Sequence, residues 1–254
     1  MDLSVFKNPS YHKHCIKVHS YDIDFNSRLN VFSLFNYFQE IAWEHAGILR
    51  FGYDDLSENN QFWVLSRIRV EIERLPRWTE EITLMTYPRG IDGPFALRDY
   101  EIFDVDGNKI ISGVSSWLIV NAKTHRPVRP TELDLTNAVN DRRALNVNAS
   151  KIADVKQTPV FVDEFTVKPS DIDVNLHVNN TRYVEWAYNT FPLAYHKDKL
   201  INIVEINFLA EGKEGNHLKI ERYQVDENKN SVVITRTDDQ KELCRVFFEW
   251  KNVK

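Results

Sequence analysis

The stretch Val31–Leu49, VFSLFNYFQEIAWEHAGIL, decides which fold this sequence can adopt. Its apolar side chains recur at spacings of three and four residues, which predicts an α-helix. They are Val31, Leu34, Phe35, Phe38, Ile41, Ala42, His45 and Leu49, and Phe32 and Tyr37 widen the stripe. A helix that is apolar over so much of its circumference usually lies inside a structure. We therefore expect the neighbouring chain to wrap around it.

The residues after this helix predict four β-strands. From Phe62 to Glu73, apolar residues alternate with charged ones, which is the period-two pattern of a half-buried strand. The pattern continues over Glu81–Tyr87, Phe95–Val105 and Lys109–Asn121. Asp106-Gly107 separates the last two segments, and this dipeptide is a strong signal for a hairpin turn.

The second half of the sequence repeats this order of elements. A helical pattern runs from Asn179 to Phe191 and is halted by Pro192. Four candidate strands follow between about Leu200 and Trp250, with turn signals at Asp226–Asn230 and Asp238–Lys241. The sequence thus predicts two tandem strand-helix-four-strand units.

The repeat is visible in the residues themselves. Asp22-Ile23-Asp24-Phe25-Asn26 matches Asp171-Ile172-Asp173-Val174-Asn175 at an offset of 171 minus 22, or 149 positions, and each copy directly precedes its helix. An α+β fold in which each sheet curls around a central helix would bury both helices. Residues 122–158 are rich in Pro, Asn and Asp without periodicity, so we interpret them as a linker between an N-terminal half (1–121) and a C-terminal half (159–254).

Composition excludes several classes of protein. The chain has 254 residues, 43% hydrophobic and 27% charged, and a net charge of -5, which gives no overall basic field for nucleic acid or an anionic membrane. Its two cysteines have no spacing typical of a disulfide framework or a zinc site. Met1–Ser10 lacks the pattern of a secretory signal, and no apolar run approaches eighteen residues. We expect a cytoplasmic protein without stable membrane insertion.

Candidate functional residues lie in the second copy of the repeated motif. From Asp171 to Val178 polar and apolar residues alternate strictly, so an extended segment would place carboxylates, an amide and an imidazole on one side. The polar residues are Asp171, Asp173, Asn175 and His177, and the apolar ones are Ile172, Val174, Leu176 and Val178. Alternation alone is more typical of an amphipathic strand with one side facing water.

Three observations favour a functional interpretation of this segment. Histidine is the side chain whose ordinary pKa lies near neutrality, and a carboxylate and an amide accompany it on the same side. The segment leads into a helix N-terminus, where free backbone N–H groups can stabilise an oxyanion. The first copy carries Arg28 where the second has His177. Arginine stays protonated and cannot act as a base, which indicates that the first copy is structural.

The segment Ser170–Asn180, with Tyr183 and Trp186 after it, resembles the signature of acyl-acyl carrier protein thioesterases of the plant and bacterial type. The resemblance covers almost the whole chain. In the first half it rests on Gln39-Glu40, His45, Phe62–Arg67, Arg74–Trp78 and Ser115–Trp117. It implies two fused hot-dog units, that is, a double hot-dog fold.

The resemblance also implies a set of catalytic residues. Asp173, Asn175 and His177 match the catalytic Asp, Asn and His of the family, and Ile206–Glu211 matches the strand that ends in its catalytic Glu. Without the resemblance, the surroundings of Glu211 in the sequence favour a solvated residue that begins the turn Glu211–Asn216. Plant members of the family have a cysteine after this Glu, whereas this sequence has Gly212. A thiol mechanism is therefore not expected.

Thioester hydrolysis needs a base for water and donors for the tetrahedral oxyanion, and it needs no metal or cofactor. Either Glu211 or His177 could be that base. Our preferred hypothesis assigns the water to Glu211, its orientation and that of the thioester carbonyl to His177 and Asn175, and the imidazole tautomer to Asp173. Cys15 and Cys244 are expected to be packed residues and not reactive ones.

The same hypothesis needs a site for the acyl chain and a partner that delivers it. Phe62, Trp63 and Trp117 beside the first helix could line a tunnel in the N-terminal half, or they could be ordinary core. The partner would be acyl carrier protein with a phosphopantetheine-linked acyl chain. Because carrier proteins are acidic, a basic patch could dock them, with Arg126, Arg129, Arg142, Arg143, Lys197 and Lys199 as candidates.

Three alternatives remain open from the sequence. An acyl-CoA thioesterase would have the same site but no docking surface for a carrier protein. A non-enzymatic sensor would bind an acyl thioester without cleaving it. A hot-dog dehydratase would act on a hydroxyacyl chain with a histidine and a carboxylate, and would release an enoyl product. A homodimer is neither required nor excluded by the sequence.

Overall fold

The computed structural model describes residues 10–130, 139 and 141–253. Residues 131–138 and 140 of the predicted linker lie outside the described residues. The first nine residues, where the sequence predicts no secretory signal, also lie outside them. The described chain forms two compact units. One includes the residues up to Ser66 and Glu73–Asn148, and the other includes Arg67–Ile72 and the residues from Ala149. No helix in the described ranges is long and apolar enough to cross a membrane.

The first unit is an antiparallel sheet with one long helix. Its sheet has the strand order β1-β3-β4-β5, and β6 pairs with β5. The elements are β1 (His12–Lys17), α1 (Val31–Ile48), α2 (Tyr53–Ser57), β2 (Gln61–Ile72), β3 (Glu81–Asp92), β4 (Phe95–Phe103), β5 (Lys109–Asn121) and β6 (Pro127–Val128).

Helix α1 is buried as its sequence predicts. Leu34, Phe38 and Ile41 are at most 1% exposed, and the ring of Phe38 stacks on Tyr100 of β4 with 4.4 Å between centroids. Burying one such side chain fully stabilises a fold by roughly 1.5–3 kcal/mol. The apolar circumference of α1 is therefore a main source of stability for this unit.

The second unit repeats the same plan. Residues Arg67–Ile72 of β2 belong to it, and its strand order is β2-β8-β11-β10-β9-β7 with antiparallel neighbours. Its other elements are β7 (Phe161–Thr166), α3 (Asn180–Asn189), α4 (Leu193–Asp198), β8 (Lys199–Phe208), β9 (His217–Asp226), β10 (Lys229–Arg236) and β11 (Lys241–Asn252). The predicted order of strand, helix and four strands is confirmed in both units.

One feature of the second unit differs from the prediction. The helix predicted to reach Phe191 ends at Asn189, and a second short helix, α4, follows directly after Pro192. Pro192 has φ -70° and is the N-cap residue of α4. Because proline lacks an N–H and has a fixed φ, it stops one helix but is well suited to begin another.

Buried polar side chains of the second sheet hold the chain that precedes β7. Asn207 of β8 is 2% exposed; its Oδ1 accepts the Ile152 N–H at 2.8 Å, and its Nδ2 donates to the Ser150 carbonyl at 2.8 Å. Glu205, 5% exposed, accepts both the backbone N–H and the hydroxyl of Ser150. These side chains satisfy backbone groups that regular strand pairing would otherwise satisfy.

The first unit contains a similar contact at Asp99 of β4. Its side chain is fully buried, and Oδ2 accepts the Ala144 N–H at 2.8 Å. Arg89 Nη1 lies 3.5 Å from the other carboxylate oxygen. Burial raises the pKa of Asp99 from 3.8 to about 6, against the opposing effect of these two partners.

We expect the stability contribution of Asp99 to depend on pH. A carboxyl whose pKa is raised on folding favours the folded state fully below 3.8 and loses that contribution as pH rises through about 6. The free energy of unfolding of the wild type, relative to Asp99→Asn, should therefore fall by about 1 kcal/mol between pH 5 and pH 7.5. Urea unfolding at both pH values measures this difference. The exposed Asp163→Asn variant is the control, and a pH-independent difference for Asp99→Asn would contradict the expectation.

Candidate active site

The segment that carries the predicted catalytic residues is a tight turn and not the extended strand that its alternation suggested. Ile172 and Val178 pair as an antiparallel bridge, and residues 173–177 reverse the chain between them. The Asp173 N–H donates to the His177 carbonyl at 2.8 Å, and Leu176 has φ +62°. Asp173 explains the turn, because its Oδ1 accepts the N–H of Asn175 at 2.8 Å and of His177 at 3.4 Å.

The turn also changes which side chains are buried. Val174 is 88% exposed and Leu176 is 75% exposed, whereas Val178 is 5% exposed. The expectation that the apolar residues share one side and the polar residues the other is therefore wrong for Val174 and Leu176. In a reversing chain, successive side chains do not alternate between two faces as they do along a strand.

His177 and Glu211 are in direct contact. The imidazole Nε2 lies 3.1 Å from Glu211 Oε2, and the two side chains are 23% and 39% exposed. His177 ends the turn, and Glu211 lies three residues beyond the end of β8. The fold therefore brings together, at hydrogen-bonding distance and open to solvent, two residues that are 34 positions apart (211 minus 177).

The other two predicted residues have different surroundings. Asp173 directs a carboxylate oxygen to backbone N–H groups, and no hydrogen bond from it to the His177 ring occurs within the described residues. Asn175 is exposed, and its side-chain amide has no partner in the part of the chain that the structure describes. The Asn175 amide, two residues before His177, is thus free among the described residues, and Asp173 has a part in shaping the turn.

The helix after the turn is capped by its own sequence. Asn179 Oδ1 accepts the N–H and the hydroxyl of Thr181, both at 2.9 Å. Asparagine is a preferred N-cap residue for this reason. The Thr181 N–H is therefore engaged, although the sequence had suggested the N-terminus of this helix as a source of oxyanion donors.

The first unit contains the same turn. Asp24 Oδ1 accepts the N–H of Asn26 at 2.8 Å and of Arg28 at 2.9 Å, and Ser27 has φ +57°. At the offset of 149 positions, Arg28 stands in the sequence where the second copy has His177. The repeated residues therefore fix the same backbone shape whether or not a histidine is present.

The first unit also lacks the carboxylate. In the second unit the Val178 N–H donates to the Gly212 carbonyl at 2.9 Å, and the equivalent bond in the first unit joins the Leu29 N–H to the Pro76 carbonyl at 2.8 Å. Pro76 thus corresponds to Gly212, and Leu75 to Glu211. Leucine offers no proton acceptor, so the first copy has neither half of the pair.

No thiol is present at the position after Glu211. A Cβ atom at Gly212 would lie 2.7 Å from Tyr183 Oη and 2.9 Å from Val178 Cγ2, so the site has no room for a larger side chain without movement. Cys244 is fully buried, and burial raises the pKa of its thiol. Cys15 is exposed on β1, so the expectation that it is packed is wrong.

Comparison with known proteins gives consistent matches over the chain. Residues 9–136 match the family model "Acyl-ACP thioesterase N-terminal domain", and residues 153–252 match "Acyl-ACP thioesterase C-terminal domain". A chloroplastic palmitoyl-acyl carrier protein thioesterase of Gossypium hirsutum is 24% identical over 92% of this chain and 62% of its own length. A chloroplastic acyl-[acyl-carrier-protein] hydrolase of Cuphea viscosissima is 27% identical over 69% of this chain and 45% of its own length. This chain thus spans less than two thirds of either relative.

Solved structures share the fold. An acyl-ACP thioesterase from Bacteroides thetaiotaomicron has a TM-score of 0.88 and 28% identity, covering 95% of this chain and 98% of its own. The 12:0-ACP thioesterase from Umbellularia californica has a TM-score of 0.87 with 22% identity, covering 96% of this chain and 98% of its own, and it supports the fold alone. The α+β double hot-dog fold expected from the sequence is confirmed.

Proposed function

The chain belongs to the acyl-ACP thioesterase family, and from this premise we propose that it hydrolyses the thioester of fatty acyl-acyl carrier protein. The products would be a free fatty acid and the carrier protein, so the reaction would end chain elongation in fatty acid biosynthesis, in the cytoplasm. The observation that carries the proposal is the 3.1 Å contact between His177 Nε2 and Glu211 Oε2. Asn175, two residues before His177, is exposed and has a side-chain amide without a partner among the described residues. The hydrolysis requires a base and a donor for the oxyanion, roles that we assign to Glu211 and the Asn175 amide.

In the proposed reaction Glu211 takes a proton from water, and the water oxygen forms a bond to the thioester carbonyl carbon. His177 holds the carboxylate and the water, and the Asn175 amide donates to the carbonyl oxygen as it becomes an oxyanion. Collapse of the tetrahedral intermediate breaks the carbon–sulfur bond. The proton then passes from Glu211 to the departing phosphopantetheine sulfur. Asp173 acts through the backbone, because it holds the turn that carries Asn175 and His177.

The first unit offers aromatic side chains for the acyl group. Trp63 and Trp117 are partly exposed and meet edge to face with 6.4 Å between centroids. Trp63 Nε1 donates to the Phe51 carbonyl at 2.9 Å, so its polar atom is satisfied and its ring remains available to apolar groups. We assign the acyl-binding role to this unit on these grounds.

The contacts of the basic residues narrow the set that could dock an acidic carrier protein. Arg142 pairs with the buried Glu101, and Lys199 Nζ donates to Asn228 Oδ1 at 2.6 Å. Both have structural partners in their own units. Arg126 and Arg129 of the first unit are exposed and make no ion pair with the described residues, so we favour them as docking residues of that unit. Lys197 is the corresponding exposed candidate of the second unit.

The proposal is tested with purified protein and two series of thioesters that differ only in the carrier. Acyl-ACP and acyl-CoA of matched chain lengths are compared for release of free fatty acid and thiol, and we expect the higher kcat/KM on acyl-ACP. The fatty acids released on expression in a bacterial host then identify the preferred chain. Equal or better turnover of acyl-CoA would refute the carrier-protein assignment, and release of an enoyl product would identify a dehydratase.

The first-unit turn supplies a further prediction. Arg28→Ala should leave kcat within about threefold of wild type, because Arg28 faces no carboxylate equivalent to Glu211 and a 3-fold change is well under 1 kcal/mol. Arg28 Nη1 is buried without a hydrogen-bond partner among the described residues, so little bonding is lost. Steady-state kinetics and a thermal unfolding midpoint on the same preparation measure both effects. A loss as deep as that of a His177 variant, in a folded protein, would show that the first copy takes part in the chemistry.

A further inference from the structure

The two peptide groups that follow Glu211 along the chain are held by three hydrogen bonds from three different parts of the second unit. The Gly212 N–H donates to Tyr183 Oη on α3 at 3.1 Å. The Gly212 carbonyl accepts the Val178 N–H at 2.9 Å, and the Glu211 carbonyl accepts Arg236 Nη1 from β10 at 3.3 Å. Glu211 lies outside any strand. The N–H groups of Leu209 and Ala210 hold the chain before it by donating to the Leu243 carbonyl, and the three contacts above hold the chain after it.

Tyr183 is suited to a fixed position. Its side chain is 3% exposed, and its ring packs against Trp186 and Phe208 with centroids 5.4 Å and 6.0 Å away. Burial raises the pKa of Tyr183, so the hydroxyl stays neutral at physiological pH and accepts the Gly212 N–H. The absence of a Cβ at Gly212 permits this approach, since a Cβ would lie 2.7 Å from the hydroxyl oxygen.

Arg236 is held in turn by Asp239. The guanidinium makes two parallel bonds, Nε to Oδ1 at 2.9 Å and Nη2 to Oδ2 at 2.7 Å. A bidentate pair fixes the plane of a guanidinium. The remaining nitrogen, Nη1, is thereby directed to the Glu211 carbonyl.

The first unit, which has no carboxylate equivalent to Glu211, also lacks the groups that form the bond between the Gly212 N–H and Tyr183 Oη. At the offset of 149, Leu34 of α1 stands where α3 has Tyr183, and it has no hydroxyl. Pro76 stands where the second unit has Gly212, and proline has no N–H to donate. The unit with Leu75 in place of Glu211 thus lacks both the donor and the acceptor of the Gly212–Tyr183 bond.

We propose that Tyr183 and Arg236 are positioning residues that hold the Glu211 carboxylate against His177, where it takes a proton from the attacking water. The proposal rests on the function proposed above and deepens it. Neither residue needs to touch the substrate. Tyr183 accepts the N–H and Arg236 donates to the carbonyl of the same peptide group, which joins Glu211 to Gly212, so the side chain of Glu211 starts from a fixed backbone. Misplacing a reacting group by about 1 Å can cost about 10²-fold in rate.

The test is a double-mutant cycle between Tyr183→Phe and Glu211→Gln. Phenylalanine keeps the buried ring and removes only the acceptor of the Gly212 N–H. We expect Tyr183→Phe to lower kcat by roughly 10- to 10²-fold with KM changed less than about threefold. In the Glu211→Gln background the same substitution should change the residual rate by less than about twofold, because no base remains to be positioned. Arg236→Met should behave in the same way.

Controls separate positioning from stability and from failure of the proposed function. Tyr53→Phe, on the surface of α2, removes an exposed hydroxyl and should leave kcat unchanged. Thermal unfolding and circular dichroism establish that each variant is folded at the assay temperature. If Glu211→Gln is fully active, the base is misassigned and the proposed mechanism fails. If Glu211→Gln is inactive but Tyr183→Phe has wild-type kcat, or lowers the rate equally in both backgrounds, the positioning proposal alone is overturned.

Discussion

Replacement of Glu211 by glutamine should lower kcat for acyl-ACP hydrolysis by roughly 10²- to 10⁴-fold, the range typical of removing a general base. Glutamine preserves the size of the side chain and can still contact His177 Nε2, which lies 3.1 Å from Glu211 Oε2 in the wild type. It cannot take a proton from water. Single-turnover and steady-state kinetics on the same acyl-ACP measure the loss. Binding of the substrate should be largely retained, because Glu211 is 39% exposed and its main-chain contacts do not involve the carboxylate.

The matched control is a protein without cysteine. Cys15→Ala combined with Cys244→Ala should keep hydrolysis close to wild type, since neither thiol adjoins Glu211 along the chain and Gly212 leaves no thiol there. Cys244 is fully buried, so the unfolding midpoint of this variant has to be compared with the assay temperature. A mechanism with a cysteine nucleophile requires the opposite result, in which the cysteine-free variant is less active than Glu211→Gln. An acyl-enzyme trapped on the wild type and identified by mass spectrometry would reject direct attack by water.

His177→Ala should remove nearly all hydrolysis, with a loss of at least about 10²-fold in kcat. The imidazole is the side chain that contacts the Glu211 carboxylate, and no other described residue forms an ion pair with that carboxylate. Folding and acyl binding should survive, because the turn is built by the backbone of His177 and the side chain of Asp173. Kinetics with acyl-ACP, together with calorimetric binding of an uncleavable thioether analogue, measure the two effects separately.

His14→Ala is the control for removing a histidine. This side chain is 48% exposed on β1 and contacts Glu44 at 3.4 Å, so its loss should not affect the reaction. If His177→Ala keeps most of the wild-type turnover while His14→Ala is also active, then the catalytic site lies elsewhere. If His177→Ala fails to bind the thioether, the imidazole has a larger part in substrate binding than the proposed mechanism assigns to it.

Local sequence patterns predicted the elements well because their periods follow directly from helix and strand geometry. The helical spacing of Val31–Leu49 and the alternation of Phe62–Glu73 each have one main structural solution. The same reasoning failed at Asp171–Val178. There the polar and apolar residues alternate as they would along a strand, but Asp173 stabilises a turn. Leu176 adopts a left-handed backbone conformation in that turn, and no glycine in the segment signals it.

Contacts between distant positions could not be derived from local patterns. Asp99 and Glu205 occur in strands where a polar residue is ordinary, and their bonds to Ala144 and Ser150 depend on the path of a chain 45 and 55 positions away. The His177–Glu211 pair entered the sequence prediction through the family resemblance, since the local sequence around Glu211 favours a solvated residue that begins a turn. For Tyr183 a signal did exist, because the first copy of the repeat has Leu34 at that position.

The two units differ at four positions that belong to the proposed site or support it. Arg28, Leu75, Pro76 and Leu34 stand where the second unit has His177, Glu211, Gly212 and Tyr183. Within the second set, His177 contacts Glu211, and Gly212 bonds to Tyr183. The proposed base and the residues that contact or support it therefore occur together in the second unit and are absent together from the first. Asp24 and Asp173, which serve the turn itself, are the part that both halves still have in common.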